Sequence, residues 1–260
     1  MYYFLGVFLI LLGHVLAQNK QINRVNVTVY YESLCPYARN FTINQLYPIL
    51  QGNLSHYVNL ELIPYGKANR TSDINSDVSF NCQHGPIECY GNLIQGCSRD
   101  LIDYGSNTDD LGFNKNHLDF VECFMKNVTS HSTRTQAEEA VVRCSKPKVI
   151  SASRLKTCAN NTFGIQHLIH YGKITDSFQK PLEHVPTIVF NGVYNEEESD
   201  GAQEDFLAEL CSKIIEPKPK ECDSAKILQR KSSKSSVNSF HTISQFLIWY
   251  TLVLMFYLST

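Results

Sequence analysis

One cysteine in this 260-residue chain stands where a redox protein keeps its nucleophile. Cys35 follows a Val- and Tyr-rich stretch typical of a strand, and the next residue, Pro36, favours the first turn of a helix. A thiol at such a turn can attack disulfides, because a helix N-terminus stabilises the thiolate. A second cysteine usually follows three residues later, where this chain has Ala38. Cys35 is therefore either a working thiol or a structural or inert one.

The chain has nine cysteines, an odd number that leaves at least one without a partner in the same chain. In an oxidising compartment this count predicts four structural disulfides and one spare thiol. Cys35 is the candidate for the spare thiol, since it stands far upstream of the others and at the strand-to-helix turn. The cysteines predicted to form disulfides, with their connectivity left open, are Cys82, Cys89, Cys97, Cys123, Cys144, Cys158, Cys211 and Cys222.

Spacing and charge argue against two classes of ligand. Cys82, His84, Cys89 and Cys97 are close in sequence, but they lack the paired Cys-X2–4-Cys spacing of zinc sites. We therefore predict no metal and no cofactor. The formal net charge is −2, and the basic residues are scattered except in the C-terminal tail, so nothing indicates a nucleic-acid partner.

The hydrophobic pattern predicts the order of the elements. Strands at 26–32 and 58–65 flank a helix at 36–51, so the two strands are expected to be parallel. Downstream, a strand at 187–190 leads through the turn Asn191-Gly192 into a return strand at 193–194, and a helix at 200–215 follows. Residues 66–180 form an insertion with a loop at 72–85. Its predicted helices cover 88–96, 115–128, 134–144 and 158–171, the last ended by Gly172.

This order predicts the fold class α/β, with a thioredoxin-like fold and a cysteine-rich helical insertion between the second and third strands. Pro186, at the start of the third strand, agrees with this fold, in which a proline at that place is cis and faces the redox cysteine. The alternative interpretation is an ordinary proline at the beginning of a strand.

The segment CQHGPIECYGNLIQGC resembles the signature of the gamma-interferon-inducible lysosomal thiol reductase (GILT) family. Every fixed position of the pattern C-Q-H-G-x-x-E-C-x-x-N-x-x-x-x-C is present. These positions are Cys82, Gln83, His84, Gly85, Glu88, Cys89, Asn92 and Cys97. The resemblance extends over residues 25–222, and an insect-like member of the family is the sub-group expected. It implies an enzyme that reduces protein disulfides in acidic compartments, with Cys35 as the attacking cysteine and Ala38 in place of the resolving one.

Ala38 changes the chemistry that the resemblance implies. Cys35 alone can attack a substrate disulfide, but release of the mixed disulfide then needs an outside thiol such as glutathione or cysteine, or the substrate's own second thiol. We therefore predict a thiol–disulfide oxidoreductase that reduces or isomerises disulfides in polypeptides through one nucleophilic cysteine. Pro36, Tyr37 and Pro186 are expected to line the site, and the helix N-terminus is expected to lower the pKa of Cys35.

Residues near Cys35 in the sequence or in the expected fold could also act at the site. Arg39 is a candidate for electrostatic support of the thiolate, and His184 could touch the redox site. His84 and Glu88 are expected to shape the insertion. The alternative function is a catalytically inactive protein on the same fold that binds polypeptides in the lumen or at the cell surface.

The two ends of the chain indicate the secretory pathway. Residues 1–17 are an apolar run ending in small residues, which predicts a signal peptide, with a signal anchor as the alternative. Residues 18–230 form the predicted mature domain. A polar spacer at 231–242 precedes an apolar tail at 243–260, which is interpreted as a GPI-attachment signal, a membrane anchor or, failing both, the end of an unanchored protein.

Six Asn-X-Ser/Thr sequons predict a glycoprotein that is extracellular, on the cell surface or lysosomal. One of them lies in a predicted strand and another in a predicted helix, which makes Asn26 and Asn40 the weaker candidates. The predicted acceptors are Asn26, Asn40, Asn53, Asn69, Asn127 and Asn160.

Overall fold

The computed structural model describes residues 23–72, 78–102, 111–145, 150–215 and 217–223. The predicted signal peptide, polar spacer and apolar tail all lie outside these residues. Among the described residues, no helix combines the length and the apolar character that a membrane crossing requires.

A three-stranded sheet forms the centre of the domain. It contains β1 (Val25–Tyr31), β2 (Val58–Pro64) and β5 (Thr187–Phe190), in the order β2-β1-β5. β1 pairs with β2 in parallel and with β5 in antiparallel orientation, so that Val29 lies opposite both Leu62 and Ile188. The parallel pairing was predicted from the intervening helix and is confirmed.

Three consecutive helical segments connect β1 to β2. They are α1 (Pro36–Phe41), a π-helical turn (Thr42–Leu46) and α2 (Tyr47–Leu50), and a 3-10 turn (Asn53–Tyr57) follows. Val25, Val27 and Val29 alternate along β1 and pack in the same core as Phe41 and Leu46 from this connection. Burial of these apolar residues places the start of α1 at the end of β1.

The insertion has its own hydrophobic core and more regular structure than the sequence predicts. Its elements are β3 (Asn69–Ser72), β4 (Val78–Asn81), α3 (Pro86–Leu101), α4 (Lys115–Asn127), α5 (Arg134–Cys144), α6 (Ala152–Ala159) and α7 (Thr162–Phe178). The predicted loop at 72–85 is wrong in part, because β3 and β4 pair as an antiparallel hairpin. The sequence did not predict this hairpin, because its residues are mostly polar and lack the apolar alternation of a half-buried strand.

The predicted helix at 158–171 is also wrong, because the chain forms two helices there. Asn161 separates α6 from α7 and accepts hydrogen bonds from the N–H groups of Phe163 and Gly164, which begins a new helix. Gly172 does not end α7. It lies inside the helix, where a Cβ would approach the Tyr65 ring to 2.8 Å.

The C-terminal elements differ from the prediction in two places. The expected return strand at 193–194 is reduced to one bridge between Phe190 and Val193. The expected helix at 200–215 is two helices, α8 (Glu196–Glu204) and α9 (Phe206–Lys213). Asp205 caps the second by accepting a hydrogen bond from the Ala208 N–H.

Four disulfides crosslink the domain. They are Cys82–Cys89, Cys97–Cys158, Cys123–Cys144 and Cys211–Cys222, and Cys35 is a free, buried thiol. Three of the four lie within the insertion. The β-α-β start, the antiparallel third strand and the helical insertion together confirm the predicted α/β class and thioredoxin-like fold.

Candidate active site

Cys35 lies at the junction between the end of β1 and the start of α1. It is the N-cap residue, with Pro36 at the first helical position, where a missing N–H does not interrupt the helix. The residue is 4% exposed, and the backbone N–H groups of Tyr37 and Ala38 point towards its thiol. The Sγ atom is 3.6 Å from the carbonyl oxygen of Val185, to which it can donate a weak hydrogen bond.

A cis-proline faces this thiol. The Val185–Pro186 peptide bond is cis, and β5 begins directly after it. Because β5 pairs with β1, the loop at Val185 is held beside the end of the strand that leads to Cys35. The sequence-predicted pair Cys35 and Pro186 is thus brought together by the sheet.

The thiol and the cis-proline border a cleft of about 550 Å³. Tyr37 is 73% exposed at its rim. The lining residues are Cys35, Pro36, Tyr37, Lys67, Gln83, His84, His184, Val185, Pro186, Asp200 and Gln203. The sequence had named Tyr37 and His184 as neighbours, but it did not predict that Lys67, Asp200 and Gln203 reach the same cleft from two other segments, the turn after β2 and the helix Glu196–Glu204.

The electrostatic environment of Cys35 differs from the sequence-based expectation. Burial raises the pKa of the Cys35 thiol above its ordinary value, and nearby Glu32 and Glu88 raise it further. The N–H groups of Tyr37 and Ala38 act in the expected direction and lower the pKa, but burial outweighs them. Arg39 does not support the thiolate, because its Nε donates a hydrogen bond to the carbonyl of Met125 at 2.8 Å.

Ala38 occupies the position where a resolving cysteine would stand. The residue is completely buried and belongs to the same hydrophobic cluster as Cys35. The eight other cysteines are all paired, so none of them is a free thiol that could resolve a mixed disulfide at Cys35. The site contains one thiol.

Helix α3, which contains most of the GILT-like signature segment, forms hydrogen bonds with the turn that precedes Cys35. The Ser33 N–H donates to Asn92 Oδ1 at 2.9 Å, and the Ser33 hydroxyl donates to the Glu88 carbonyl at 3.1 Å. Gly91 permits this close approach, since a Cβ there would lie 2.3 Å from Ser33 Oγ. The GILT-like signature therefore acts on the thiol site from the insertion, a connection that sequence spacing alone did not reveal.

A buried ionisable cluster lies beside this turn, and sequence reasoning missed its central member, Glu32. His84 Nδ1 is 2.6 Å from Glu88 Oε2 and 3.5 Å from Glu32 Oε2, and the Lys67 N–H donates to Glu32 Oε1 at 2.7 Å. Burial, with a contribution from Glu88, raises the pKa of Glu32 to about 7. The only sequence signal for Glu32 is a charged residue directly after a buried strand.

The same three side chains have atoms of the types that bind cations, all within 4.8 Å of one another. The 2.6 Å separation between His84 and Glu88 is a hydrogen-bond distance, shorter than the roughly 3.3 Å expected between two ligand atoms of a tetrahedral zinc ion. We therefore interpret Glu32, His84 and Glu88 as a hydrogen-bonded cluster and assign no metal to them.

The remaining signature residues form the start of α3. The Cys82–Cys89 disulfide closes the turn, and Gln83 lies on the cleft. Gly85 has a φ of +87°, a conformation that side-chain-bearing residues rarely adopt. Cys97, the last position, joins α3 to α6 through Cys158.

A free thiol at a helix N-terminus, opposite a cis-proline on a thioredoxin-like sheet, defines the class of thioredoxin-like thiol–disulfide oxidoreductases. The family model described as gamma interferon inducible lysosomal thiol reductase (GILT) matches residues 26–148. GILT-like protein 1 of Drosophila melanogaster is 32% identical over 215 residues, which cover 82% of this chain and 84% of that protein.

The gamma-interferon-inducible lysosomal thiol reductase-like protein of Anopheles gambiae is 35% identical over 225 residues, covering 85% of this chain and 87% of that protein. This chain belongs to the GILT family. Among solved structures, BdbD from Bacillus subtilis in its oxidised form is 15% identical with a TM-score of 0.48, covering 74% of this chain and 90% of that chain.

Proposed function

We propose that this protein is a monothiol oxidoreductase that reduces or isomerises disulfides in polypeptides through Cys35. The observation that carries the proposal is the free Cys35 thiol, placed at the start of α1 and 3.6 Å from the carbonyl that precedes cis-Pro186. Membership of a family of thiol reductases supports the same chemistry.

The proposed reaction uses one protein sulfur and two molecules of a small thiol. The Cys35 thiolate attacks one sulfur of the substrate disulfide, whose S–S bond breaks, and the other sulfur leaves and takes up a proton. Glutathione then attacks Cys35 in the mixed disulfide, releasing the second substrate thiol and leaving Cys35 joined to glutathione. A second glutathione restores Cys35 and forms oxidised glutathione, so two electrons pass from two thiols to the substrate. In isomerisation the substrate's own second thiol performs the release.

Two features favour the alternative, a polypeptide-binding protein without turnover. Ala38 removes the internal route for releasing a mixed disulfide, and burial keeps the pKa of Cys35 above its ordinary value. Both slow the reaction rather than forbid it, because an external thiol can replace the missing one and a fraction of Cys35 is ionised at any pH.

The secretory pathway is the proposed location, with a lysosomal, extracellular or cell-surface destination. Four disulfides fit an oxidising compartment. The six predicted glycosylation sites support the proposal, because every acceptor is exposed, including those on β1 and α1. The exposed acceptors are Asn26, Asn40, Asn53, Asn69, Asn127 and Asn160. An anchor formed by the C-terminal tail remains part of this proposal.

An insulin reduction assay tests the function. The mature protein is assayed at pH 5 and pH 7, with and without glutathione, beside Cys35→Ser and Ala38→Cys. We expect turnover that requires glutathione and disappears in Cys35→Ser. Without glutathione, Ala38→Cys that has been reduced beforehand should complete a single round of reduction, because a disulfide then forms between Cys35 and the introduced cysteine. Silence of the natural protein and of Ala38→Cys, with glutathione present, would overturn the enzymatic proposal and favour the binding one.

A further inference from the structure

Three ionisable side chains close to the thiol, Glu32, His84 and Glu88, have no part in the proposed reaction. Glu32 and Glu88 are completely buried, whereas His84 has 27% of its side chain exposed and lines the cleft. His84 Nδ1 is hydrogen-bonded to Glu88, and it also lies within 3.5 Å of Glu32 Oε2. His84 is therefore the member of the cluster that reaches both the cleft and the two buried carboxyl groups.

One oxygen of this cluster lacks a donor. Glu32 Oε2 is buried and accepts no hydrogen bond from any described residue, while Oε1 is occupied by the Lys67 N–H. A buried carboxylate oxygen without a donor is unfavourable when it is charged, and protonation removes that penalty. The geometry alone therefore favours a proton on Glu32.

The charge of Glu32 acts on Cys35, which lies three residues further along the same turn. A negative charge on Glu32 or Glu88 opposes ionisation of the thiol and raises the pKa of Cys35. Glu32 itself faces His84 and Glu88 from the start of α3, Lys67 from the turn after β2, and Cys35 from the start of α1. Glu88 raises the pKa of Glu32, whereas His84 and Lys67 lower it.

Resting on the proposed function, in which Cys35 is the nucleophile, we propose that Glu32 is a positioning residue for the thiol reaction. It takes up a proton in acid, delivered from the cleft through His84, and thereby removes a negative charge that opposes ionisation of Cys35. As pH falls below neutrality, the thiol then loses less of its thiolate than an isolated thiol would. The GILT-like signature residues His84 and Glu88 act through Glu32 by setting the pH at which it is protonated.

Alkylation of Cys35 by iodoacetamide between pH 4.5 and pH 9 tests this proposal on the mature protein. The eight paired cysteines do not react, and Cys35→Ser provides the blank. We expect Glu32→Gln to react about tenfold faster than the natural protein above pH 8, where Glu32 is charged. Below pH 5 the two rates should be equal, because Glu32 then carries no charge in either protein.

Two further variants should move the transition between these regimes in opposite directions. His84→Gln removes a group that lowers the pKa of Glu32, so the transition should move to higher pH. Glu88→Gln removes a group that raises it, so the transition should move to lower pH. Glu122→Gln, which alters a buried carboxyl group on α4, is the matched control and should leave the profile unchanged. Circular dichroism melting establishes that each variant is folded.

A rate ratio between Glu32→Gln and the natural protein that stays constant from pH 4.5 to pH 9 overturns the proposal, as does a transition that neither His84→Gln nor Glu88→Gln moves. Alkylation follows ionisation of Cys35 and requires no turnover. Silence in the insulin assay together with the expected alkylation profile therefore contradicts the proposed function alone. A Cys35 that never reacts at any pH in the folded protein overturns both.

Discussion

Two helices begin at the cleft, each with a proline at its first position, and their N-termini are used differently. At the start of α1, the free N–H groups face the thiol of Cys35. At the start of α3, the turn is closed by the Cys82–Cys89 disulfide, and the Glu88 carboxylate accepts a hydrogen bond from the His84 N–H at 3.0 Å. The same local signal therefore produces one helix start available for chemistry and one that is locked.

The locked start of α3 supports the available start of α1. α3 provides Asn92 and the Glu88 carbonyl to Ser33, and the turn before α3 places His84 beside Glu32. Disulfides hold α3 at both ends, through Cys89 and Cys97. The cysteines of the insertion crosslink its helices, and the single cysteine outside a disulfide is the one that the proposed reaction uses.

The largest expected effect is the loss of stability on removal of the disulfides that hold α3. Paired Cys→Ser substitution at Cys97 and Cys158 opens a crosslink that spans 61 residues, and the chain-entropy model gives a loss of about 4 kcal/mol in the free energy of unfolding. The Cys82–Cys89 crosslink spans seven residues, and its removal should cost about 2.5 kcal/mol. Urea unfolding of both variants, under conditions that keep the remaining disulfides intact, measures the difference.

The smaller loss should have the larger effect on the thiol. Removal of Cys82–Cys89 frees the turn that carries His84, so the pH profile of Cys35 alkylation should change. Removal of Cys211–Cys222, which spans 11 residues near α9, is the matched control and should leave the profile intact. If both variants alter the profile equally, the locked start of α3 has no special link to the thiol.

A second prediction concerns acid, which should act on His117 in the insertion. His117 is buried on α4, and burial together with Arg99 lowers its pKa to about 3. Below the unfolded value near 6.5, the unfolded chain binds a proton that the folded protein does not, so stability falls by about 1.4 kcal/mol per pH unit. At pH 4.5 the loss is about 2–3 kcal/mol, and His117→Gln should abolish it in urea titrations at pH 7.5, 6 and 4.5.

Glu32, in the thiol site, should respond to acid with the opposite sign. Its folded pKa of about 7 exceeds that of the unfolded chain, so its contribution to stability is fully present below the unfolded pKa and is lost as pH rises through 7. Glu32→Gln should remove this gain, and its stability relative to the natural protein should be poorest in acid. Equal stability differences at pH 7.5 and pH 4.5 would contradict the sign for either residue.

The third prediction tests the contact between α3 and the turn before the thiol. Gly91→Ala places a Cβ 2.3 Å from Ser33 Oγ and 3.1 Å from the Phe124 ring, and overpacking of this kind costs about 1–3 kcal/mol. Thermal unfolding measures the loss. Gly52→Ala is the control, because its added Cβ meets only the Ile49 carbonyl at 4.0 Å. Adding Ser33→Ala to Gly91→Ala should recover part of the stability, and no recovery would place the strain elsewhere.

Local pattern was sufficient to predict the parallel pair of strands that leads to the thiol, but not the environment of the thiol. The parallel pairing of β1 and β2 and the position of Cys35 follow from alternation, helical spacing and Pro36. The direction of the Cys35 pKa does not, because the N–H groups of α1 are local, whereas the burial that outweighs them and the charge of Glu88 depend on distant segments. Glu32 escaped notice for the same reason, since its partners His84 and Glu88 are more than 50 residues away.

The smallest expected effect is at the rim of the cleft, where the proposed function places a polypeptide substrate. Tyr37 is 73% exposed, so Tyr37→Ala should change the free energy of unfolding by less than about 0.5 kcal/mol. Loss of its apolar surface should nevertheless raise KM for insulin in the disulfide reduction assay. Tyr37→Phe retains the ring and should behave like the natural protein. Reduction of a small aromatic disulfide, which does not extend over the rim, should be unaffected in both variants. If Tyr37→Ala slows the small disulfide as much as insulin, Tyr37 acts on the thiol itself and not on the substrate chain.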